Sequence, residues 1–262
     1  MDPGLAAVLR SGDLQVEGRL AGASNATLRC IIESEGEPVR CVYKPQRGER
    51  PLWDFPEGTL AGREVAFYEL SVLLGWPCVP MTVWREDGPA GPGSCQWWID
   101  SVVDTSVVDV VPLDEEREGW AAILEGTDGR GREVRLIHAT TDDLQRLALL
   151  DAIANNADRK GGHILVGADG RIWGIDHGVT FNAEPKLRSV LWGWAGDPIP
   201  EHLLADVQHL AMHIDAGTAV SVTQWLDEAE QLALRERVGV ILADGTFPLP
   251  SPAWTAIPWP VF

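Results

Sequence analysis

The chain has 262 residues, 45% of them hydrophobic and 23% charged, which is the composition of a globular protein long enough for one large core or two lobes. Its net charge of −18 argues against nucleic acid as a partner and against non-specific adhesion to anionic membranes, because like charges repel. No apolar run approaches the roughly 18 residues that a membrane helix needs, so we expect no integral membrane association. Composition does not decide the oligomeric state.

The cysteines and lysines indicate which kinds of site the chain can contain. The four cysteines form no CxxC pair, so the sequence predicts neither a zinc site nor a disulfide framework. Residues 1–12 lack a basic stretch followed by an apolar one, so we expect no signal peptide and a cytoplasmic location. Of the 21 basic residues only three are lysines, and they are candidates for positions that require a compact ammonium group: Lys44, Lys160 and Lys186. Genome composition is the alternative explanation for the excess of arginine.

The first elements of the chain are two predicted strands around a polar turn. Residues 14–20 and 27–34 show the apolar pattern of strands. The turn between them contains Ser24 and Asn25, and its backbone N–H groups can lie over a phosphate of a bound nucleotide. The turn lacks a GxGxxG motif, so a plain hairpin is the alternative to a phosphate-covering turn.

Lys44 lies near the end of the next predicted strand, residues 39–45, which Pro45 breaks. A helix is predicted over residues 60–74, with Glu64 in its first turn. A lysine at the end of a strand and a glutamate early in the next helix can form an ion pair that holds the lysine ready to bind phosphate oxygens. The alternative is that Glu64 only interacts with the positive end of the helix.

Two further strands, predicted at residues 79–85 and 95–100, complete a set of five strands and one helix. We expect these elements to form a β-rich lobe over residues 1–98, followed by a mainly helical lobe over residues 99–262. A crevice between two lobes is a usual place for a small ligand. Trp98 lies at the passage between the lobes, where it either packs in the core or contacts a bound nucleotide.

The strongest pattern in the chain lies in residues 155–178. A polar loop with Asp158, Lys160 and His163 leads into two short apolar runs, and the Asp-Gly pair between these runs predicts a hairpin. The second run ends at Asp176. The two aspartates therefore lie at the ends of one compact hairpin, where one can accept a proton from an attacking hydroxyl and the other can bind a metal ion. Phosphoryl transfer requires this division of roles.

Apolar periodicity predicts one helix before this hairpin and two after it, over residues 200–214 and 219–242. We expect Asp151, on the earlier helix, to bond the loop backbone. Lys186 and Arg188 follow the hairpin among tryptophans, where they either bind an anionic substrate or belong to an ordinary loop. The tail, rich in proline and tryptophan, is predicted to be extended chain.

The order and spacing of these motifs resemble the kinase fold, and in particular its phosphatidylinositol 3-/4-kinase-like branch. That branch has a short loop containing Asp-Arg and then a metal-binding aspartate, with only a hairpin between them. A bacterial, chiefly actinobacterial, kinase-like family is also similar to the stretches YKPQRGERPLWDFP, LAGREVAFYEL and NNADRKGGHIL. The resemblance covers nearly the whole chain and implies an α+β, two-lobed protein-kinase-like fold that uses ATP with Mg²⁺ or Mn²⁺.

The resemblance also implies roles for individual residues. Lys44 would bind the α- and β-phosphates of ATP, and Glu64 would hold Lys44 in place. Asp158 would be the catalytic base, and Lys160 would neutralise the transferring phosphoryl group. Asp176 would bind the metal ion that bridges the phosphates. Two other residues would brace the loop: Asn156 and Arg159.

His163 is where the sequence departs from this resemblance, because kinases of this class usually have asparagine there as a second metal ligand. Imidazole can bind a metal ion, but Mg²⁺ prefers oxygen ligands. His163 therefore either binds Mn²⁺, or Mg²⁺ weakly, or only shapes the loop.

Three functional hypotheses follow. The first is an ATP-dependent phosphotransferase whose acceptor is a serine or threonine hydroxyl, a small polyol or an inositol lipid, although the acidic charge disfavours the lipid; AMP transfer on the same fold is a variant. The second is a regulatory ATP-binding protein without catalysis, against which the presence of Lys44, Asp158 and Asp176 argues. The third is an unrelated α+β protein whose motifs match by chance.

Overall fold

The structure is a computed structural model that describes residues 2–20, 25–34, 36–50, 52–53, 55, 59–102 and 105–262. Within these ranges it is a mixed molecule of helices and antiparallel sheets, compatible with the expected α+β class. The helices are α1 (Pro3–Ser11), α2 (Leu60–Leu73), α3 (Asp142–Ala154), α4 (Glu201–Asp215), α5 (Val220–Thr223) and α6 (Glu228–Asp244). The strands are β1 (Leu14–Arg19), β2 (Leu28–Ile32), β3 (Val39–Pro45), β4 (Thr82–Arg85), β5 (Gly93–Trp97), β6 (Val108–Pro112), β7 (Trp120–Thr127), β8 (Glu133–Ala139), β9 (Ile164–Val166) and β10 (Ile172–Gly174).

The first five strands form one antiparallel sheet in the order β1-β2-β3-β5-β4, so the five strands predicted for this part of the chain are confirmed. Helix α2 packs against β4 and β5 of this sheet. Helix α1 also packs there but was not predicted, although its sequence carries local signals of a helix: Asp2 caps its N-terminus, Pro3 is its first residue, and Ala6 and Leu9 are buried on one face. Arg85 anchors α1 by donating hydrogen bonds to the carbonyl oxygens of Leu9 and Gly12.

A second sheet, in the order β6-β8-β7, lies between residues 105 and 139 and was not predicted. Its strand β7 has no buried residue, so the sequence there lacks the alternation that identifies a half-buried strand. Strands β9 and β10 add a two-stranded hairpin. The expectation of a mainly helical second part therefore understated its β content.

His138, on β8, joins this second sheet to a 3₁₀ turn at Trp192–Trp194. Its side chain is fully buried, its Nε2 accepts a hydrogen bond from the backbone N–H of Gly193 (3.0 Å), and its Nδ1 lies 2.8 Å from the carbonyl oxygen of Ala139. Burial lowers the pKa of His138, and the contact with Ala139 only partly opposes this shift. The imidazole is therefore held neutral, with the proton on Nδ1.

We expect the protein to lose stability as the pH falls below about 6.5, in part because His138 takes up its proton more readily in the unfolded chain than in the folded one. The variant His138→Gln keeps an acceptor for Gly193 but cannot titrate. Between pH 7.5 and 5.5 its melting temperature should fall by about 2–4 °C less than that of the wild type. A control, His209→Gln, replaces an exposed histidine of α4 and should follow the wild type. An equal fall in melting temperature for all three proteins would show that His138 does not contribute to this loss of stability.

The C-terminal helices differ in one respect from the prediction. Helix α4 matches the expected helix, but the continuous helix expected over residues 219–242 is broken into α5 and α6. Asp227 causes the break because its side chain caps α6 and forms a reciprocal capping box with Glu230. Helix α6 then continues to Asp244 and ends at Gly245, whose φ of 63° suits glycine.

The buried apolar residues form one continuous cluster that includes both ends of the chain, from Ala6 to Phe247. After Phe247 the tail forms neither a helix nor a strand, but it turns and bends between residues 252 and 260, so the prediction of extended chain is only partly met. The backbone N–H groups of Ser189 and Gly161 donate to the carbonyl oxygens of Ala256 and Val261. Across the described ranges, the helices are too short or too polar to cross a bilayer.

Candidate functional site

The predicted hairpin is present and places Asp176 just beyond its second strand. Strands β9 and β10 pair in an antiparallel register that brings Ile164 opposite Gly174. Gly170 makes the turn, with a φ of 78°. Asp176 has a φ of 60°, in the left-handed region that residues other than glycine rarely adopt. Such backbone strain often marks functional positions.

A buried ion pair fixes the loop before the hairpin. The guanidinium of Arg159 is fully buried and donates to both carboxylate oxygens of Asp151, each at 2.8 Å. Asp151 also accepts a hydrogen bond from the side chain of Asn156. The expectation that Asp151 bonds loop backbone is therefore wrong, because its two oxygens are taken by these side chains. Arg159 also donates to the carbonyl oxygens of His163 and Ile175, which ties the loop to the end of β10.

Asp158 is held at the top of this loop by polar contacts on both sides. Its backbone N–H donates to the side-chain oxygen of Asn156 (3.0 Å), so the expected bracing by Asn156 is present. Its carboxylate lies 3.0 Å from the ammonium group of Lys160. About a third of the Asp158 side chain is exposed. The carboxylate is therefore both positioned and accessible to a ligand.

Lys44 connects the first sheet to the hairpin. Its ammonium group donates to Glu64, as expected, and also to Asp176 at 2.8 Å. Glu64 lies one residue beyond the first turn of α2, is 2% exposed and contacts the lysine directly, so the alternative of a carboxylate serving only the helix dipole is wrong. Burial would lower the pKa of Lys44, but the two carboxylates outweigh burial and raise it. Lys44 likewise holds the pKa of Asp176 well below its usual range, so both groups are charged at neutral pH.

These side chains surround a cavity of about 550 Å³. Cavities of this size suit a ligand as large as a nucleotide. The cavity is lined by Asn25 from the turn between β1 and β2, by Lys44 from β3, by Glu64 from α2, and by Asp158 and Asp176 from either side of the hairpin. Side chains that lie far apart in the sequence therefore converge on one space. The other predicted residue of the turn between β1 and β2, Ser24, lies outside the described residues.

Not every predicted site residue lines this cavity. Trp98 is absent from its lining, and its indole N–H donates to Asp100, so the structure does not place Trp98 as a nucleotide contact. Lys160 touches Asp158 without lining the cavity. Lys186 is 2% exposed and lies over the rings of Trp53 and Trp254, so the interpretation of Lys186 as a substrate-binding cation is wrong.

Two cavity-lining arginines were not predicted as site residues for the nucleotide: Arg50 and Arg188. The first lies in an irregular segment with no periodic signal. The second was noted in the sequence, but only its place beside the loop of Asp158 shows that it faces the cavity.

His163 presents an unprotonated ring nitrogen to Asp176. Its Nδ1 lies 2.9 Å from the backbone carbonyl oxygen of Asp158, which can only accept, so Nδ1 carries the proton. Burial lowers the pKa of His163, which favours the neutral ring. The lone pair of Nε2 therefore lies 3.5 Å from a carboxylate oxygen of Asp176. These two groups could supply two ligands to a metal ion, although His163 does not line the cavity and the described residues contain no cluster of three such side chains.

His177 packs beneath the site, where its Nδ1 lies 3.8 Å from a carboxylate oxygen of Glu64, which is too far for a hydrogen bond. Its ring stacks on Phe67 with centroids 3.8 Å apart, and both ring nitrogens are buried without a hydrogen-bond partner. Burial lowers its pKa well below the ordinary value, so the ring is neutral. His177 therefore acts as an aromatic packing residue that supports the backbone of its neighbour Asp176.

The chain is similar over nearly its whole length to a known protein. The chain is 45% identical over 265 residues to Protein Rv2133c of Mycobacterium tuberculosis, and the match covers 98% of this chain and 95% of the relative. No known family model matches the chain. The name of the relative states no activity, so any functional conclusion depends on the geometry of the site.

Proposed function

The chain belongs to the family of Protein Rv2133c, and we propose that it is an atypical kinase that transfers the γ-phosphoryl group of ATP to a hydroxyl acceptor. The observation that carries the proposal is the convergence of Lys44, Glu64 and Asp176 on a cavity that Asp158 also lines. A charged lysine held by a buried glutamate, a metal-binding carboxylate and a base are the parts that phosphoryl transfer requires.

We propose further that the chain has the two-lobed, phosphatidylinositol 3-/4-kinase-like fold that the motifs resemble. The five-stranded sheet with α2 would be the first lobe, and the rest of the chain, from about residue 99, the second. The cavity supports this division because residues 25–64 line one side and residues 157–188 line the other. A nucleotide in the cavity would be held by groups from both lobes.

In the proposed reaction, the carboxylate of Asp158 accepts the proton of the acceptor hydroxyl. A bond forms between the acceptor oxygen and the γ-phosphorus, the bond from that phosphorus to the bridging oxygen of ADP breaks, and ADP leaves. Lys44 binds phosphate oxygens and offsets their charge. Lys160, which touches Asp158 but does not line the cavity, would have to turn towards the cavity to offset the charge of the transferring group.

The donor set at His163 and Asp176 fits a divalent cation. When bound, this ion would neutralise charge on the phosphates of ATP. Asp176 supplies an anionic oxygen, and His163 supplies the Nε2 lone pair that its hydrogen bond to Asp158 leaves free. A nitrogen ligand suits Mn²⁺ better than Mg²⁺, which prefers oxygen.

The test is incubation of the full chain with ATP labelled at the γ- or the α-position, with Mg²⁺ or Mn²⁺, with and without hydroxyl acceptors. We expect the γ-label to be transferred, and Mn²⁺ to support transfer better than Mg²⁺. In His163→Asn, which restores an oxygen ligand, the preference should move towards Mg²⁺. Transfer of the α-label would instead show AMP transfer, and nucleotide binding without transfer of either label would show a regulatory ATP-binding protein.

A further inference from the structure

Arg188 lies beside the loop of Asp158 and has no partner for its charge among the described residues. It lines the cavity next to Ala157 and Asp158. Its backbone N–H donates to the carbonyl oxygen of Asn156, and its carbonyl oxygen accepts from the N–H of Arg159. The Nε of Arg188 is buried without a hydrogen-bond acceptor.

No acidic side chain among the described residues pairs with Arg188, although four acidic side chains line the same cavity. The most deeply buried arginines of the described residues do have acceptors for their charge: Arg63 bonds Glu230, Arg85 bonds backbone carbonyl oxygens, and Arg159 bonds Asp151. Arg188 is only partly buried, so part of its guanidinium group is accessible from the cavity while its Nε is withdrawn from water without an acceptor. A buried donor without an acceptor costs free energy, which an anion bound by this guanidinium group would recover.

The position of Arg188 separates it from the groups assigned to the nucleotide. Lys44 contacts Glu64 and Asp176, whereas Arg188 is bonded to residues 156 and 159 on either side of the proposed base. A group bound by Arg188 would therefore lie at the Asp158 end of the cavity, where the proposed acceptor hydroxyl reacts. The guanidinium fork matches the paired oxygens of a phosphate or a carboxylate.

We propose that the acceptor is a small hydroxyl compound with its own phosphate or carboxylate group, and that Arg188 binds this anionic group. The inference rests on the proposed function, because it assigns a substrate class to the same site. The net charge of −18 favours a compact anion over an anionic macromolecule or membrane, which the rest of the surface would repel.

The test measures the binding of inorganic phosphate, by calorimetry, to the full chain loaded with a non-hydrolysable ATP analogue and Mn²⁺. We expect the loaded wild type to bind phosphate and Arg188→Gln to bind it about tenfold or more weakly, since a charge-assisted hydrogen bond is lost. The affinity for the analogue should be unchanged. Arg188→Lys, which keeps the charge but loses the fork, should bind phosphate with intermediate affinity. The matched control is Arg130→Gln, an exposed arginine outside the cavity, which should bind phosphate like the wild type.

Three results would overturn the inference and leave the proposed function intact. These are the absence of phosphate binding to the loaded wild type, phosphate binding by Arg188→Gln that is as tight as that of the wild type, and failure of Arg188→Gln to bind the ATP analogue. The last result would assign Arg188 to the nucleotide. If the wild type fails to bind the analogue, the proposed function fails instead. Phosphate binding to the free wild type and to Arg188→Gln then decides whether the anion site exists. Acetate and glycerol 3-phosphate as further probes distinguish a carboxylate from a phosphate ligand.

Discussion

Replacing Asp158 by asparagine should lower the rate of γ-phosphoryl transfer by about 10²–10⁴-fold, which is the usual contribution of a positioned general base. Asparagine has nearly the same shape but cannot accept the proton of the acceptor hydroxyl. The hydrogen bond from the backbone N–H of Asp158 to Asn156 does not involve the carboxylate, so the loop should keep its conformation. Binding of an ATP analogue should therefore be retained.

The measurement is the initial rate of γ-label transfer together with the dissociation constant of the analogue. Asp169→Asn is the matched control, because Asp169 is an exposed carboxylate in the turn of the same hairpin and pairs only with Arg171. It should transfer label at the wild-type rate. A variant Asp158→Asn that is as active as the wild type would show that Asp158 is not the base.

Replacing Asp151 by alanine should destabilise the fold by about 3–5 kcal/mol, because it leaves the guanidinium of Arg159 buried and unpaired. Both side chains of this pair are fully buried. The same replacement removes the acceptor of the Asn156 side chain, so residues on both sides of Asp158 lose their anchor. The folded fraction of the Asp151→Ala protein should therefore also lose transfer activity.

Urea denaturation gives the free energy of unfolding for this comparison. Asp143→Ala, on the same helix, removes a partly exposed pair with Arg146 and should cost no more than about 1 kcal/mol. The double variant Asp151→Leu, Arg159→Met should be more stable than Asp151→Ala, because no unpaired charge remains in the interior. If Asp151→Ala were as stable as Asp143→Ala, the ion pair of Asp151 and Arg159 would not be what holds the loop of Asp158.

The parts of the fold that the sequence predicted are those with a strong local signal. The Asp-Gly turn predicted the hairpin of β9 and β10, and the apolar spacing around Glu64 predicted α2. Two parts of the fold were missed. Helix α1 was missed although Asp2 and Pro3 mark its start, whereas the sheet of β6, β7 and β8 lacks a clear alternation: β7 buries no residue, and the four buried residues of β8 are consecutive.

In the candidate site, too, local patterns predicted some features and long-range packing decided the others. Types and spacing identified Lys44, Glu64, Asp158 and Asp176, because a lysine at a strand end and two acids around a hairpin are local patterns. Their convergence on one cavity, and the contact of Lys44 with Asp176 over 132 positions of sequence, depend on long-range packing. The burial of Lys186 between Trp53 and Trp254 also depends on long-range packing, because these three residues come from distant segments of the chain.

The sequence by itself determined the elements that carry the candidate site and the charged side chains at their ends, because turns, caps and periodicity act over a few residues. Only the tertiary structure decided which of those charges face one another. It paired Arg159 with Asp151, left the Nε2 of His163 unprotonated beside Asp176, and placed Arg188 in the cavity without an acidic partner among the described residues. The physical reason is that burial and distance set the free energy of a charge, and neither is fixed until distant segments pack together.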